Sequence, residues 1–197
     1  MNALILIDIQ NDLLPGGALA VPNGDQIIPV LNEIQHDYDL VVASQDWHPP
    51  DHKSFASQHE NKKPFERIAW HDGIQVLWPD HCVQESFGAE FSKALDTKRV
   101  EAIFRKGTNS QIDSYSALYD NNHEKSTALA DYLRAKGVNE VFIAGLATDY
   151  CVYYTALDSL KEGFKTTVLQ NASSGLNEED IRKAMDHVRK EGGEIVF

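Results

Sequence analysis

The sequence predicts an α/β protein, a three-layer α/β/α arrangement around a mostly parallel, doubly wound sheet of six strands. Three observations carry this reading. Short apolar runs rich in β-branched residues recur along the chain, stretches of helical period separate most of them, and the connecting turns are short.

Ala3-Leu4-Ile5-Leu6-Ile7 is a continuous apolar run, the pattern of a strand buried on both faces, and it ends at Asp8. From Asp25 to about Tyr38, Ile28, Leu31 and Ile34 recur at helical spacing, and Leu40-Val41-Val42-Ala43 then completes a β-α-β unit. The rhythm returns with a strand at Val100–Phe104, a helix over Glu124–Lys136 and a strand at Val141–Ala144. A helix from Asp149 to Glu162, a strand at Thr166–Leu169, a helix over Asn177–Lys190 and a strand at Glu194–Phe197 complete the series. Gly137 and Gly163 suit the left-handed position that ends a helix, and Asn177 ahead of Glu178-Glu179-Asp180 suits a capped, acidic helix start.

Residues 45–98 break this rhythm. They are rich in His, Pro and Trp, with no sustained period beyond a short helix expected at Ser86–Leu95. A segment that long inside a compact domain reads as functional. No linker, repeat or low-complexity tract interrupts the chain, so residues 1–197 are expected to form a single domain.

Composition narrows the class. The chain has 197 residues, 42% hydrophobic and 24% charged, enough for one core without disulfide support. Thirty acidic against 18 basic residues give a net charge of −12, which argues against a nucleic-acid partner and favours small uncharged or cationic ones. The first apolar run lacks a positive leader and is cut by Asp8, so no signal peptide or membrane span is expected and the location reads as cytoplasmic. Cys82 and Cys151 lie far apart and are expected as free thiols. Nothing in the sequence sets an oligomeric state.

In open parallel sheets ligands bind beyond the carboxyl ends of the strands. Asp8 closes the first strand, Lys106 follows Val100–Phe104, and Cys151 lies just beyond Val141–Ala144 where a helix begins. Singly these are an Asx turn, a solvated lysine and a small core residue. Together they suggest a nucleophile: a helix N-terminus and a lysine favour the thiolate, and Asp8 can take its proton. A second cluster comes from the histidines, five of which (His48, His52, His59, His71 and His81) fall between residues 48 and 81. In extended backbone Asp46 and His48 point to one side and Trp47 to the other. One further His makes a three-ligand site with open positions, so the irregular segment reads as a metal-binding loop insertion. His81, stiffened by Trp78 and Pro79, is the preferred third ligand, with His52 and His71 as rivals.

At this point the chain resembles a known family. Asp8-Ile9-Gln10-Asn11-Asp12, Asp46-Trp47-His48-Pro49, Trp78-Pro79-Asp80-His81-Cys82 and Phe104-Arg105-Lys106-Gly107-Thr108 are similar to successive signatures of the nicotinamidases, within the isochorismatase-like cysteine hydrolases. Asp113-Ser114-Tyr115-Ser116-Ala117 and Gly145-Leu146-Ala147-Thr148-Asp149-Tyr150-Cys151-Val152 continue the match over almost the whole chain. The resemblance implies a catalytic triad of Asp8, Lys106 and Cys151, and a divalent metal held by Asp46, His48 and His81, zinc first with iron or manganese as alternatives. It also implies an oxyanion hole from the Ala147 and Cys151 N–H groups, a cis peptide between Leu146 and Ala147, and a pocket lined by Leu13, Trp78, Tyr115 and Ala147. Leu13 stands where family members often carry Phe, and Ser54 where some carry a further metal-proximal His. The implied reaction is hydrolysis of nicotinamide, and of pyrazinamide, in NAD salvage. A carbamoyl or ureido amidohydrolase, an iron oxygenase with two His and one carboxylate, and a zinc-stabilised binding module are the competing readings.

Overall fold

Strand β1 (Asn2–Ile7) is buried from Ala3 onward, as its unbroken apolar sequence requires. The computed structural model describes Met1–Phe197 with the exception of Asp72. Ala3, Ile5 and Ile7 face one apolar cluster, with Leu129, Leu133, Val152 and Met185, while Leu4 and Leu6 face another, with Ile28 and Leu31. A strand sandwiched between two such clusters is the centre of a three-layer structure.

Around it run β2 (Leu40–Asp46), β5 (Val100–Lys106), β6 (Glu140–Leu146), β7 (Lys165–Ser174) and β8 (Glu194–Val196). The six strands order as β5-β2-β1-β6-β7-β8, and every pairing is parallel. The chain leaves β1 toward β2 and β5, then returns to β6 and continues to the other edge. The crevice between the carboxyl ends of β1 and β6 is therefore the topological switch point.

Gly145, on β6, holds that crevice together. Its φ is +135°, and a Cβ there would lie 2.2 Å from the Ile7 carbonyl oxygen of β1. Gly145→Ala is expected to destabilise the protein by about 3 kcal/mol, read by denaturant unfolding, because the clash is with backbone that cannot rotate away. A loss below about 0.5 kcal/mol would contradict this packing.

The helices depart from the expected bounds for local reasons. The stretch expected as one helix from Asp25 to Tyr38 divides into 3₁₀ turns at Gly24–Ile27 and Gln35–Asp37 around α1 (Ile28–Ile34). Pro29 sits in the first turn of α1, where its missing N–H costs nothing. Helix α2 spans Leu129–Ala135 and begins five residues later than Glu124. The Asp120 carboxylate accepts the N–H groups of Asn122, Glu124 and Lys125, which winds that segment into a turn instead. Helix α4 (Glu178–Lys190) runs as expected, whereas α3 (Tyr153–Lys161) begins four residues later than Asp149 because Thr148–Val152 forms a π-type turn ahead of it. Gly137 and Gly163 have φ of +77° and +85°, and the Asn177 side chain accepts from the N–H groups of Glu179 and Asp180.

The irregular segment holds two surprises. The helix expected at Ser86–Leu95 is only a 3₁₀ turn at Phe87–Ala89, capped by Ser86. An antiparallel hairpin, β3 (Arg67–Trp70) and β4 (Gly73–Val76), stands where the sequence shows no clear strand alternation. It is anchored by Trp70, whose Nε1 donates to the Gln111 carbonyl at 2.8 Å.

Candidate active site

The switch point brings the ends of four strands together. Asp8 follows β1 with a φ of +51°, a left-handed conformation that Asp tolerates better than most residues. Asp46 closes β2, Lys106 closes β5, and Cys151 lies in a single π-type turn, Thr148–Val152, between β6 and α3. All four side chains are buried, and Lys106 is the hub. Its Nζ lies 2.9 Å from Asp8 Oδ2, 2.5 Å from Asp46 Oδ1 and 3.4 Å from Cys151 Sγ, and donates to the Ser114 carbonyl at 3.1 Å. Ser44 Oγ donates to Asp8 Oδ1 at 2.7 Å.

Two carboxylates around one ammonium set the protonation pattern. Burial works against the charge of Lys106, but Asp46 and Asp8 outweigh it and hold the amine protonated. Burial raises Asp8 above the usual carboxylate range, with Lys106 opposing and Asp46 adding, which makes it a better proton acceptor. Cys151 differs from the sequence expectation of a favoured thiolate. Burial pushes the thiol well above its ordinary value; Lys106 opposes this, and the nearby Asp8 and Asp46 charges add to it. The resting group is therefore a thiol that needs a base, and donor atoms of Asp8, Asp46 and Cys151 lie within 4.8 Å of one another.

Beside this cluster, donor atoms of Asp46, His48 and His81 also come within 4.8 Å of one another, all three residues being buried. Gln10 fixes Asp46 like a second backbone strand: the Asp46 N–H donates to Gln10 Oε1, and Gln10 Nε2 to the Asp46 carbonyl, both at 2.8 Å. Trp47 does point the other way, stacked under the Arg105 guanidinium at 3.8 Å. His48 Nε2 lies 3.4 Å from Asp113 Oδ1, while Nδ1 is buried and has no hydrogen-bond partner among the described residues. His81 Nδ1 meets the Pro79 carbonyl at 2.8 Å, leaving Nε2 at 3.7 Å from Asp46 Oδ2. An orphaned ring nitrogen beside a buried carboxylate and a second imidazole fits a divalent cation.

The rival histidines differ in their surroundings. His71 is exposed on the hairpin, 3.3 Å from the Gln111 carbonyl. His52 is buried near His48 and Asp113, and burial lowers its pKa to about 4, so the ring is neutral. Its Nδ1 accepts the Ser54 N–H at 3.1 Å and lies 2.7 Å from Ser54 Oγ, while its Nε2 is buried with no hydrogen-bond partner among the described residues, so that His48, His52 and Asp113 form a second group that could hold a cation.

A pocket opens onto the thiol. Trp78, Tyr115 and Tyr150 form an aromatic wall, with Trp78 and Tyr150 edge to face at 4.8 Å between centroids. Leu13, Leu19, Val21 and Leu176 form an aliphatic wall, and Ala147 and Cys151 the floor. The structure thus brings Leu13, Trp78, Tyr115 and Ala147 to one cavity. The peptide between Leu146 and Ala147 is cis, and the Ala147 carbonyl accepts the N–H groups of Tyr150 and Val152. Leu19, Val21, Leu176 and Ser44 carry no sequence signal for the site, and Gln10, Asp113 and Tyr150 stand in the quoted motifs without an assigned role.

The doubly wound parallel sheet with its polar site at the switch point is that of the isochorismatase family, and the chain belongs to it: the isochorismatase domain matches residues 2–196. Within that family its similarity is to nicotinamidases. It is 45% identical over 189 residues to the nicotinamidase of Acinetobacter baylyi, covering 96% of this chain and 87% of the relative. The solved nicotinamidase/pyrazinamidase of Acinetobacter baumanii superposes with a TM-score of 0.97 at 42% identity, covering 99% of this chain and 95% of that one. The pyrazinamidase of Pyrococcus horikoshii in complex with zinc superposes with a TM-score of 0.82 at 39% identity, covering 99% and 98%.

Proposed function

We propose that this protein is a nicotinamidase, a single-domain hydrolase over residues 1–197 that converts nicotinamide, and by the same chemistry pyrazinamide, to the carboxylate and ammonia in NAD salvage. The observation that carries the reading is the Lys106 ammonium in simultaneous contact with Asp8, Asp46 and the Cys151 thiol. It ties the nucleophile, its base and the candidate metal ligands into one unit.

An amide is a weak electrophile with a poor leaving group, so its cleavage needs a nucleophile, an acid for the nitrogen and stabilisation of the oxyanion. Cys151 Sγ attacks the carboxamide carbon as its proton passes to Asp8. The resulting oxyanion is received by the N–H groups of Ala147 and Cys151. When the C–N bond breaks, Asp8 returns the proton to the departing nitrogen, releasing ammonia and leaving a thioester. Asp8 then takes a proton from water as the oxygen attacks the thioester; the C–S bond breaks and the proton goes back to sulfur. Lys106 holds Asp8 in place throughout and offsets the charge that passes through the cluster.

Asp46, His48 and His81 would hold a divalent metal, zinc by analogy with the zinc-bound relative, and Leu13, Trp78, Tyr115 and Ala147 would enclose the ring. A metal bound there supplies an open coordination position for the ring nitrogen, which aims the carboxamide at Cys151. No helix among the described residues is long and apolar enough to cross a membrane, and we place the enzyme in the cytoplasm. The test is ammonia release from nicotinamide, pyrazinamide and benzamide, before and after chelation. The expected result is turnover of the two nitrogen-containing rings, loss of activity on chelation with recovery on adding zinc, and poor turnover of benzamide. Equal rates on benzamide and nicotinamide would contradict the anchoring of the ring.

A further inference from the structure

The hairpin has a feature that its exposed position does not explain. Along β4, Gly73 and Ile74 face solvent, yet the one fully inward side chain is polar: Gln75 is 6% exposed. An inward position on a solvent-edge hairpin is normally filled by an apolar residue, and a buried amide is costly unless its hydrogen bonds are met. Here the amide nitrogen turns to two residues of the site. Gln75 Nε2 lies 3.0 Å from Asp113 Oδ2 and 3.2 Å from the Tyr115 hydroxyl, besides 2.7 Å from the Val76 carbonyl.

Those contacts lead in two directions. The other oxygen of Asp113 is the one 3.4 Å from His48 Nε2, so Gln75 holds the carboxylate that orients a candidate metal ligand. Tyr115 belongs to the aromatic wall of the pocket, its ring 6.2 Å from that of Trp78 and 5.4 Å from that of Tyr150. One amide therefore touches the support of the ligand that would fix the ring nitrogen and the wall that would hold the ring's face.

Building on the proposed reaction, we propose that Gln75 is a positioning residue that keeps the metal-ligand side of the pocket, through Asp113 and His48, in register with the aromatic wall, through Tyr115. A carboxylate behind a ligating histidine fixes the ring's orientation and tautomer, and loss of such support typically weakens metal binding roughly 10–100-fold. Misalignment of the two supports weakens ground-state and transition-state binding alike, which raises KM and spares kcat.

The experiment compares wild type with Gln75→Met, which preserves volume and removes the amide, and with Tyr115→Phe, which removes only the hydroxyl. The readouts are zinc affinity by competition with a chromophoric chelator, and KM and kcat for nicotinamide. Gln75→Met is expected to bind zinc about tenfold more weakly and to raise KM about tenfold with kcat within about twofold. Tyr115→Phe is expected to raise KM while leaving zinc affinity within about twofold, which separates the two arms even if Gln75→Met folds poorly. A Gln75→Met protein that melts at a lower temperature but keeps wild-type zinc affinity and KM would overturn the proposal, as would an unchanged KM in Tyr115→Phe. Wild-type protein that binds zinc but releases no ammonia from nicotinamide would instead overturn the proposed reaction.

Discussion

Cys151→Ala is expected to reduce ammonia release from nicotinamide at least about a thousandfold while leaving the fold and the zinc content as in wild type. The substitution removes one sulfur at the floor of the pocket. It leaves the Lys106 contacts to Asp8, Asp46 and Ser114 intact, so the charge balance of the cluster is unchanged. The thiol sits 8% exposed among residues that remain packed, so the cost in stability is small beside the loss of covalent chemistry. Binding survives because the walls and the candidate metal ligands are untouched; nicotinamide should still protect the variant from thermal unfolding. A variant that keeps more than a tenth of wild-type activity would rule out the thioester route.

Lys106→Met should damage both activity and stability. Its ammonium is the only Lys or Arg group within 4.0 Å of the Asp8 and Asp46 carboxylates among the described residues, and all three side chains are buried. Taking away one member of a buried ion cluster leaves uncompensated charge, a loss of about 3–5 kcal/mol. The same change removes the group that positions Asp8 and moderates the negative field on Cys151, so ammonia release should fall at least about a thousandfold. Denaturant unfolding and the ammonia assay read the two effects separately. A variant as stable as wild type would show that the carboxylates do not depend on Lys106 for their charge balance.

Much of this site was legible because burial on both faces leaves few reasons for a polar residue at a strand end. An Ala-Leu-Ile-Leu-Ile run stopping at Asp8, a lysine after Val100–Phe104 and a cysteine after Val141–Ala144 stand out against apolar sequence, and parallel topology then gathers them at one rim. The choice among His81, His52 and His71 was a different matter, since only the stiffness that Trp78 and Pro79 lend His81 favours one of three like residues, and sequence does not say which ring reaches Asp46 and His48. The structure leaves His71 on the exposed hairpin, brings His81 to Asp46, and places His52 beside His48 and Asp113. The protonation state of Cys151 also departs from the sequence reading, because the depth of burial and the placement of two carboxylates beside the lysine outweigh its attraction. The late start of α2 was hidden because the Asp120 carboxylate draws three N–H groups into a turn, a local alternative that periodicity does not register. The β3–β4 hairpin and the Leu19, Val21 and Leu176 wall were invisible for a further reason. Their place at the site depends on how irregular backbone returns to the sheet's rim, and their residues carry no chemistry that marks them.

The central claim is a covalent one, that Cys151 becomes acylated by nicotinamide during turnover. It is tested most directly by acid-quenching the zinc-loaded enzyme during steady-state turnover and mapping modified peptides by mass spectrometry. The expected result is a nicotinoyl group on the Cys151 peptide that disappears once substrate is exhausted, with Cys82 unmodified. Continuous ammonia release with Cys151 unacylated, or an acyl group carried on another residue, would contradict it.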